Sequence, residues 1–187
     1  QERLAILGDG IAVLPLHGTL TPPEQRAAIR RDPNGQRKVI LATSIAETSL
    51  TIDGVRIVVD SGMARRARYD PLAATTRLVT ERASQAAATQ RAGRAARQGP
   101  GVAYRLWEEA ATGGLPRFDP PEILDSDLAP LVLQCAAWGE NDPLRLNWLD
   151  PPPAPLLAEA RKRLQALDAV EATGAITLNG RAIAALP

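Results

Sequence analysis

Apolar and polar residues change their spacing repeatedly along this chain, and each change marks an element. Ile11–Leu16 is a short apolar run and predicts a buried strand. Thr21-Pro22-Pro23-Glu24 follows, pairing a capping hydroxyl with first-turn prolines and a carboxylate three residues on. It predicts a helix from Pro22 to about Arg31. Asp32-Pro33-Asn34-Gly35 is a turn signal, and Lys38–Ala42 reads as the next strand. Val55–Asp60 is nearly all apolar, the pattern of a parallel strand buried on both faces. Arg65–Tyr69 and Arg77–Thr80 flank Asp70-Pro71 and predict a hairpin. Ser84 is placed to cap an alanine-rich helix to about Arg94, Gln98-Gly99-Pro100-Gly101 breaks it, and Val102–Leu106 predicts a last strand. Strands alternating with helices predict an α/β domain with a largely parallel sheet, whose ligands lie beyond the carboxyl ends of the strands.

The pattern changes near Gly113–Pro121, a stretch rich in Gly and Pro that predicts a domain boundary. Leu128–Trp138 predicts a helix with Leu128, Leu131, Val132, Cys135 and Trp138 on one face. Asp150–Pro155 is a proline-rich connector. Pro155–Leu167 predicts a second amphipathic helix, with Leu156, Leu157, Ala160, Leu164 and Leu167 on its apolar side. Ala175–Leu178 reads as a short strand before an Asn179-Gly180 turn. Two helices and a small β element fit a winged helix. The expected domains are therefore 1–120, α/β, and 121–187, mainly helical.

Composition narrows the function. Hydrophobic residues are 45% of the 187, enough for a core, while aromatics are only 3%, so aliphatic side chains and alanine must build it. No apolar run approaches a membrane span and no secretory start is present, so no membrane partner is expected. An opening on Gln1 rather than Met suggests a fragment. Cys135 is the sole cysteine and His17 the sole histidine, which argues against a disulfide framework, a Cys or His metal site and a Ser-His-Asp triad. Residues 1–105 carry 16 Arg or Lys against 9 Asp or Glu, and residues 106–187 carry 6 against 12. A net charge of +7 beside one of −6 points the first half towards phosphates.

Three segments carry candidate chemistry. Gln90-Arg91-Ala92-Gly93-Arg94-Ala95-Ala96-Arg97 sets Arg94 and Arg97 three apart, on one face if helical, with Gln90 one turn earlier. Two guanidiniums and an amide suit a polyphosphate: Arg clamps spreading negative charge, and Gln can orient a water. Two arginines at this spacing are, by themselves, more common on an ordinary solvated helix. Ala42-Thr43-Ser44-Ile45-Ala46-Glu47-Thr48-Ser49-Leu50-Thr51-Ile52-Asp53-Gly54-Val55 follows a strand and is dense in hydroxyls, good donors to a phosphate backbone. A plain connecting loop would look similar. Leu14-Pro15-Leu16-His17-Gly18-Thr19-Leu20 leaves another strand end, where His17 could equally be a structural histidine.

Together, in this order, the segments resemble motifs IV, V and VI of superfamily 2 helicases, in the DEAH-type branch. Val59-Asp60-Ser61-Gly62 and Tyr69-Asp70-Pro71 match that branch as well. Gly114-Leu115-Pro116-Arg117-Phe118-Asp119-Pro120-Pro121-Glu122-Ile123-Leu124 resembles its bacterial HrpB type. The resemblance covers nearly the whole chain and implies a second RecA-like motor domain over 1–120. It also implies a winged helix over 121–187, continuing into further helicase-associated domains. It implies Arg94 and Arg97 as arginine fingers for ATP, with Gln90 at the γ-phosphate or the attacking water. It places Asp53, Gly93 and Ile29 at the nucleotide. It gives His17, Gly18, Thr19, Thr43, Ser44 and Thr48 to a single-stranded nucleic acid, RNA by family, and makes the Arg66–Thr80 hairpin a strand guide. Ile29 stands where many relatives carry a stacking Phe, Ser44 where Asn is usual, and Ala96 where Gly is usual.

No Gly-x-x-x-x-Gly-Lys-Ser/Thr loop and no Asp-Glu-x-His segment occurs in the sequence. Phosphate cradling and Mg²⁺ ligation are therefore expected from an N-terminal RecA-like domain in cis. This chain alone is expected to be inactive, and the whole protein to be a cytoplasmic ATP-dependent helicase. The alternatives are a nonenzymatic nucleic-acid-binding module, against which the acidic second half argues, and a scaffold that keeps the fold without the motor.

Overall fold

A computed structural model of the chain describes residue 4 and residues 10–47, 51–71 and 73–186. It has two compact units, Gln1–Arg65 with Thr80–Asp119, and Arg66–Val79 with Pro120–Pro187.

In the first unit, β1 (Ile11–Leu16) runs parallel to β2 (Arg37–Ala42), with Ile11 opposite Arg37 and Leu16 opposite Ala42. Between them lies α1 (Pro22–Ile29), packed on β1. Prolines at its first two positions lack N–H groups, so two of the usual orphan donors do not exist. The Glu24 carboxylate turns back to accept from the Thr21 N–H at 2.8 Å and the Thr21 hydroxyl at 2.6 Å. These bonds, the hydroxyl's first, hold the Glu24 carboxyl below its ordinary pKa. The helix stops two residues short of the expected Arg31. Lys38 explains where: its Nζ donates to the carbonyls of Ala27 at 2.8 Å, Ala28 at 3.3 Å, and Arg30. An ammonium on the last carbonyls satisfies acceptors that the helix leaves open.

The second parallel pair is β3 (Ile57–Asp60) with β6 (Val102–Arg105). Their connection includes α2 (Gln85–Ala95), which packs on both strands. Buried Ser84 caps α2, its hydroxyl oxygen accepting from the Ala87 N–H at 3.0 Å. Among the described residues the parallel strands form two pairs rather than one continuous sheet. Two-sided burial of β3 is not what the structure shows. Ile57 is 59% exposed and Val59 63%. Alternate side chains leave a strand on opposite faces, and α2 covers one face.

The second unit begins with a hairpin. β4 (Met63–Asp70) pairs with β5 (Thr75–Arg82), and the distal part of both strands belongs here. Arg68 forms an ion pair with Asp125, and the Tyr69 N–H donates to the Asp125 carbonyl at 2.9 Å. Arg163 lies 5.3 Å from the centre of the Tyr69 ring and also pairs with Asp127. Helix α3 (Ala129–Trp138) packs on α4 (Ala154–Ala166) and on α5 (Leu178–Ala184). Leu128, Val132, Leu133, Leu157 and Leu164 form the centre of their shared core. Trp138 does not join it: as the last residue of α3, before left-handed Gly139, it is largely exposed. Leu167, just past the end of α4, is likewise exposed.

The predicted Asn179-Gly180 turn is instead the start of α5. Thr177 decides this, because its hydroxyl oxygen accepts from the Gly180 N–H at 2.9 Å and caps the helix. Of the expected strand, only Ile176 pairs, in an antiparallel bridge to Val170.

Candidate functional site

Parallel pairing brings the carboxyl ends of β1 and β2 together. The Thr43 N–H donates to the Leu16 carbonyl at 3.1 Å, so the loops after the two strands leave side by side. In the first loop, Leu20 N–H returns to the His17 carbonyl at 3.3 Å. His17 Nδ1 and the Thr19 hydroxyl share a hydrogen bond of 2.9 Å. Gly18 and Thr19 are exposed, and a side chain at Gly18 would meet nothing within 4 Å. In the second loop Thr43 and Ser44 are exposed, and Ser44–Glu47 winds into one tight 3₁₀ turn. The structure thus gathers His17, Gly18, Thr19, Thr43 and Ser44 at one sheet end. Thr48 lies outside the described residues.

Helix α2 faces this end. Gln90 and Gly93 are exposed and Arg94 is half-buried, donating from its guanidinium to the Glu47 carbonyl. Arg97 is not on the helix: α2 ends at Ala95 and Arg97 sits, exposed, in the following turn. The inner stripe of α2 is Ala87, Ala88, Arg91 and Ala95, small residues that let the helix approach its sheet, broken by one cation. Arg91 Nε donates to Glu47 Oε1 at 2.7 Å, and Nη1 to Asp60 Oδ1 at 2.7 Å and to the Met63 carbonyl at 3.1 Å. Asp60 is 5% exposed and its Oδ1 also accepts from the Gly62 N–H at 2.9 Å.

Two of the three residues expected at a nucleotide, Asp53 and Ile29, also meet, and no hydrogen bond among the described residues joins Gly93 to them. Asp53 N–H donates to the Ile29 carbonyl at 2.8 Å. Gln98 grips the Asp53-Gly54 turn from the other side, Nε2 donating to Asp53 Oδ1 at 3.1 Å and Oε1 accepting from Gly54 N–H at 2.8 Å. Gly54 has φ +79°, a conformation that other residues adopt at a cost. Gln98 follows Arg97 directly, so the turn after α2 and the Ile29–Asp53 contact are tied together.

Sequence reading assigned no role to Arg91, Glu47, Asp60 or Gln98. The first had a signal: positions 87, 91 and 95 repeat every four residues, so Arg91 falls on the alanine face that must be buried. A buried arginine requires carboxylates. The polar groups that remain outward, Gln90 and Arg97 with Arg94 at the edge, are the donor set that fits a polyphosphate. Among the described residues no three His, Cys, Asp or Glu side chains are placed to hold a metal ion. No described helix is long and apolar enough to cross a membrane.

The helicase conserved C-terminal domain family matches residues 1–99. The ATP-dependent RNA helicase HrpB of Escherichia coli is 46% identical over the whole chain, which spans 23% of that relative. The pre-mRNA-splicing factor ATP-dependent RNA helicase prp22 of Schizosaccharomyces pombe is 42% identical over the whole chain, which spans 16% of it. The crystal structure of the Escherichia coli DEAH/RHA helicase HrpB superposes with a TM-score of 0.91 at 46% identity, over 99% of this chain and 24% of that one. The chain therefore spans about a quarter or less of the relatives it matches. It belongs to the helicase conserved C-terminal domain family, in the DEAH-type branch of superfamily 2.

Proposed function

We propose that the chain is the second motor domain of an ATP-driven helicase acting on single-stranded RNA, followed by a winged helix. Residues 1–120 form the motor part and 121–187 the winged helix, leading into further helicase-associated domains. The observation that carries this reading is the juxtaposition at one sheet end. Loops bearing His17, Gly18, Thr19, Thr43 and Ser44 leave together, and the second is held from α2 by Arg91 and Arg94 at Glu47.

ATP is the substrate. Arg94 and Arg97 meet the negative charge that spreads over the transferred phosphoryl group, and Gln90 orients the attacking water. Gly93 leaves room for close approach. Asp53 and Ile29 line the nucleotide side. An N-terminal RecA-like domain in cis cradles the phosphates and ligates Mg²⁺, so this chain has no turnover alone. Exposed hydroxyls and backbone amides of the two loops hold phosphates of the strand without reading bases. Thr48 extends that set, and the Arg66–Thr80 hairpin guides the strand. The protein works in the cytoplasm.

Relatives named as ATP-dependent RNA helicases favour this over a nonenzymatic binding module or scaffold. The test is ATP hydrolysis by the full-length protein carrying this chain, with RNA, with DNA and with neither. Stimulation by RNA above DNA supports the reading. Hydrolysis absent under all three conditions overturns it.

A further inference from the structure

Arg91 is a cation on the inner stripe of α2, with a side chain only 16% exposed. Its fork joins three elements: the turn after β2 through Glu47, the end of β3 through Asp60, and the start of β4 through the Met63 carbonyl. Glu47 and Asp60 are themselves 20% and 4% exposed. Asp60 Oδ2 accepts no hydrogen bond among the described residues, so Arg91 and the Gly62 N–H compensate that carboxylate. Carboxylates so buried lose heavily if their cation is withdrawn. A lysine, with a point charge and no fork, cannot span both acceptors in this geometry.

Glu47 is held twice by the same helix. Arg91 takes its carboxylate and Arg94, three residues on, takes its carbonyl. The Ser44–Glu47 turn therefore cannot shift against α2 without breaking both grips. The Ser44–Glu47 turn and the helix bearing Arg94 are thus tied at two points.

We propose that Arg91 is a positioning residue. Anchored by Glu47 and Asp60, it sets the rotation of α2 that aims Arg94, and it couples the Thr43–Glu47 segment to that aim. Occupancy of the loop by a strand is thereby transmitted to the finger. This deepens the helicase reading above and rests on it.

The test uses the full-length protein carrying this chain and compares Arg91→Gln, Arg91→Lys, Glu47→Gln and Arg94→Ala. ATP hydrolysis is measured with and without single-stranded RNA, and thermal melting is followed in parallel. Arg91→Gln is expected to lower RNA-stimulated kcat about 10²-fold, the scale of a misaimed catalytic group, with KM for ATP changed by less than about threefold. Arg91→Lys restores only a minor part. Arg91→Gln combined with Arg94→Ala is no slower than Arg94→Ala alone, because the first acts through the second. Where Arg91→Gln does not fold, Glu47→Gln, of equal size and still an acceptor, lowers the ratio of stimulated to basal turnover about tenfold. Folded variants with kcat within about twofold of wild type overturn the proposal, as do losses that multiply in the double variant. A wild-type protein without RNA-stimulated hydrolysis overturns the helicase reading itself. An active wild type with indifferent Arg91 and Glu47 variants overturns only this inference.

Discussion

The N–H of Asp53 donates to the carbonyl of Ile29 across 2.8 Å, joining the C-terminal end of α1 to the turn before β3. Gln98 completes the contact through Asp53 Oδ1 and the Gly54 N–H. Gln98→Ala removes both bonds from an exposed site and releases the turn. With about 1 kcal/mol at stake, KM for ATP in the full-length protein rises about fivefold while kcat holds. An unchanged KM removes the Ile29–Asp53 contact from nucleotide binding.

Arg97 lies beyond the last residue of α2, exposed, while Arg94 is half-buried at Glu47. Arg94, proposed as a finger, therefore also holds the Ser44–Glu47 turn. With Arg97 proposed as a finger, Arg97→Ala lowers ATP turnover in the full-length protein by about 10³-fold or more. Arg94→Ala lowers turnover comparably and also loosens the Ser44–Glu47 turn, seen as weaker single-stranded RNA binding. Undiminished turnover in Arg97→Ala removes its role.

Local chemistry was legible in the sequence, and long-range pairing was not. Thr21 with Glu24, Ser84 before an alanine run, and Asp70-Pro71 between two strands all signal within a few residues, and each element formed. Arg91 meets Asp60 from 31 residues away and Glu47 from 44, and Gln98 meets Asp53 from 45. No local pattern names such partners, though the four-residue spacing of Ala87, Arg91 and Ala95 is a signal that Arg91 falls on the buried face and needs them. Two errors had local causes. Val55–Asp60 looked buried on both faces because composition does not say how many faces a neighbour covers. Asn179-Gly180 looked like a turn because that pair usually makes one, and the Thr177 cap overrode it.

Gly180 sits where an added Cβ would lie 2.0 Å from the Ala169 carbonyl oxygen. Alanine ordinarily gains about 1 kcal/mol over glycine within a helix. Here backbone must move, at about 1–3 kcal/mol, and the clash wins. Gly180→Ala lowers the stability of the second unit, measured by urea unfolding followed through Trp148. A variant as stable as wild type removes the close approach of α5 to Ala169.

The Tyr69 hydroxyl is buried without a hydrogen-bond partner among the described residues, while Arg163 lies over its ring. Burial pushes its pKa up, and Arg163 pulls the other way. Tyr69→Phe removes an unsatisfied polar atom and keeps the ring beneath Arg163, so stability stays level or rises by up to about 1 kcal/mol. A raised folded pKa gives stability that is full below the unfolded value near 10 and lost as pH climbs through the folded one. The Phe variant escapes that share of the alkaline loss, and melting curves from about pH 8 to 11 check both parts.

Glu24 works in the opposite direction. Its carboxyl is held below its ordinary value first by the Thr21 hydroxyl, then by the Thr21 N–H. A lowered folded pKa contributes stability that is complete above the unfolded value, about 4.3, and is lost as pH falls through the folded one. Glu24→Gln keeps an acceptor for Thr21 but loses the negative charge favoured in the first turn of α1. The variant melts below wild type near neutral pH, and the gap closes as the solution is acidified beneath the carboxylate range. Melting at a series of pH values from about 7 down to 3 measures this. A gap that stays constant assigns the effect of Glu24 to its shape, and a gap that closes assigns it to its charge.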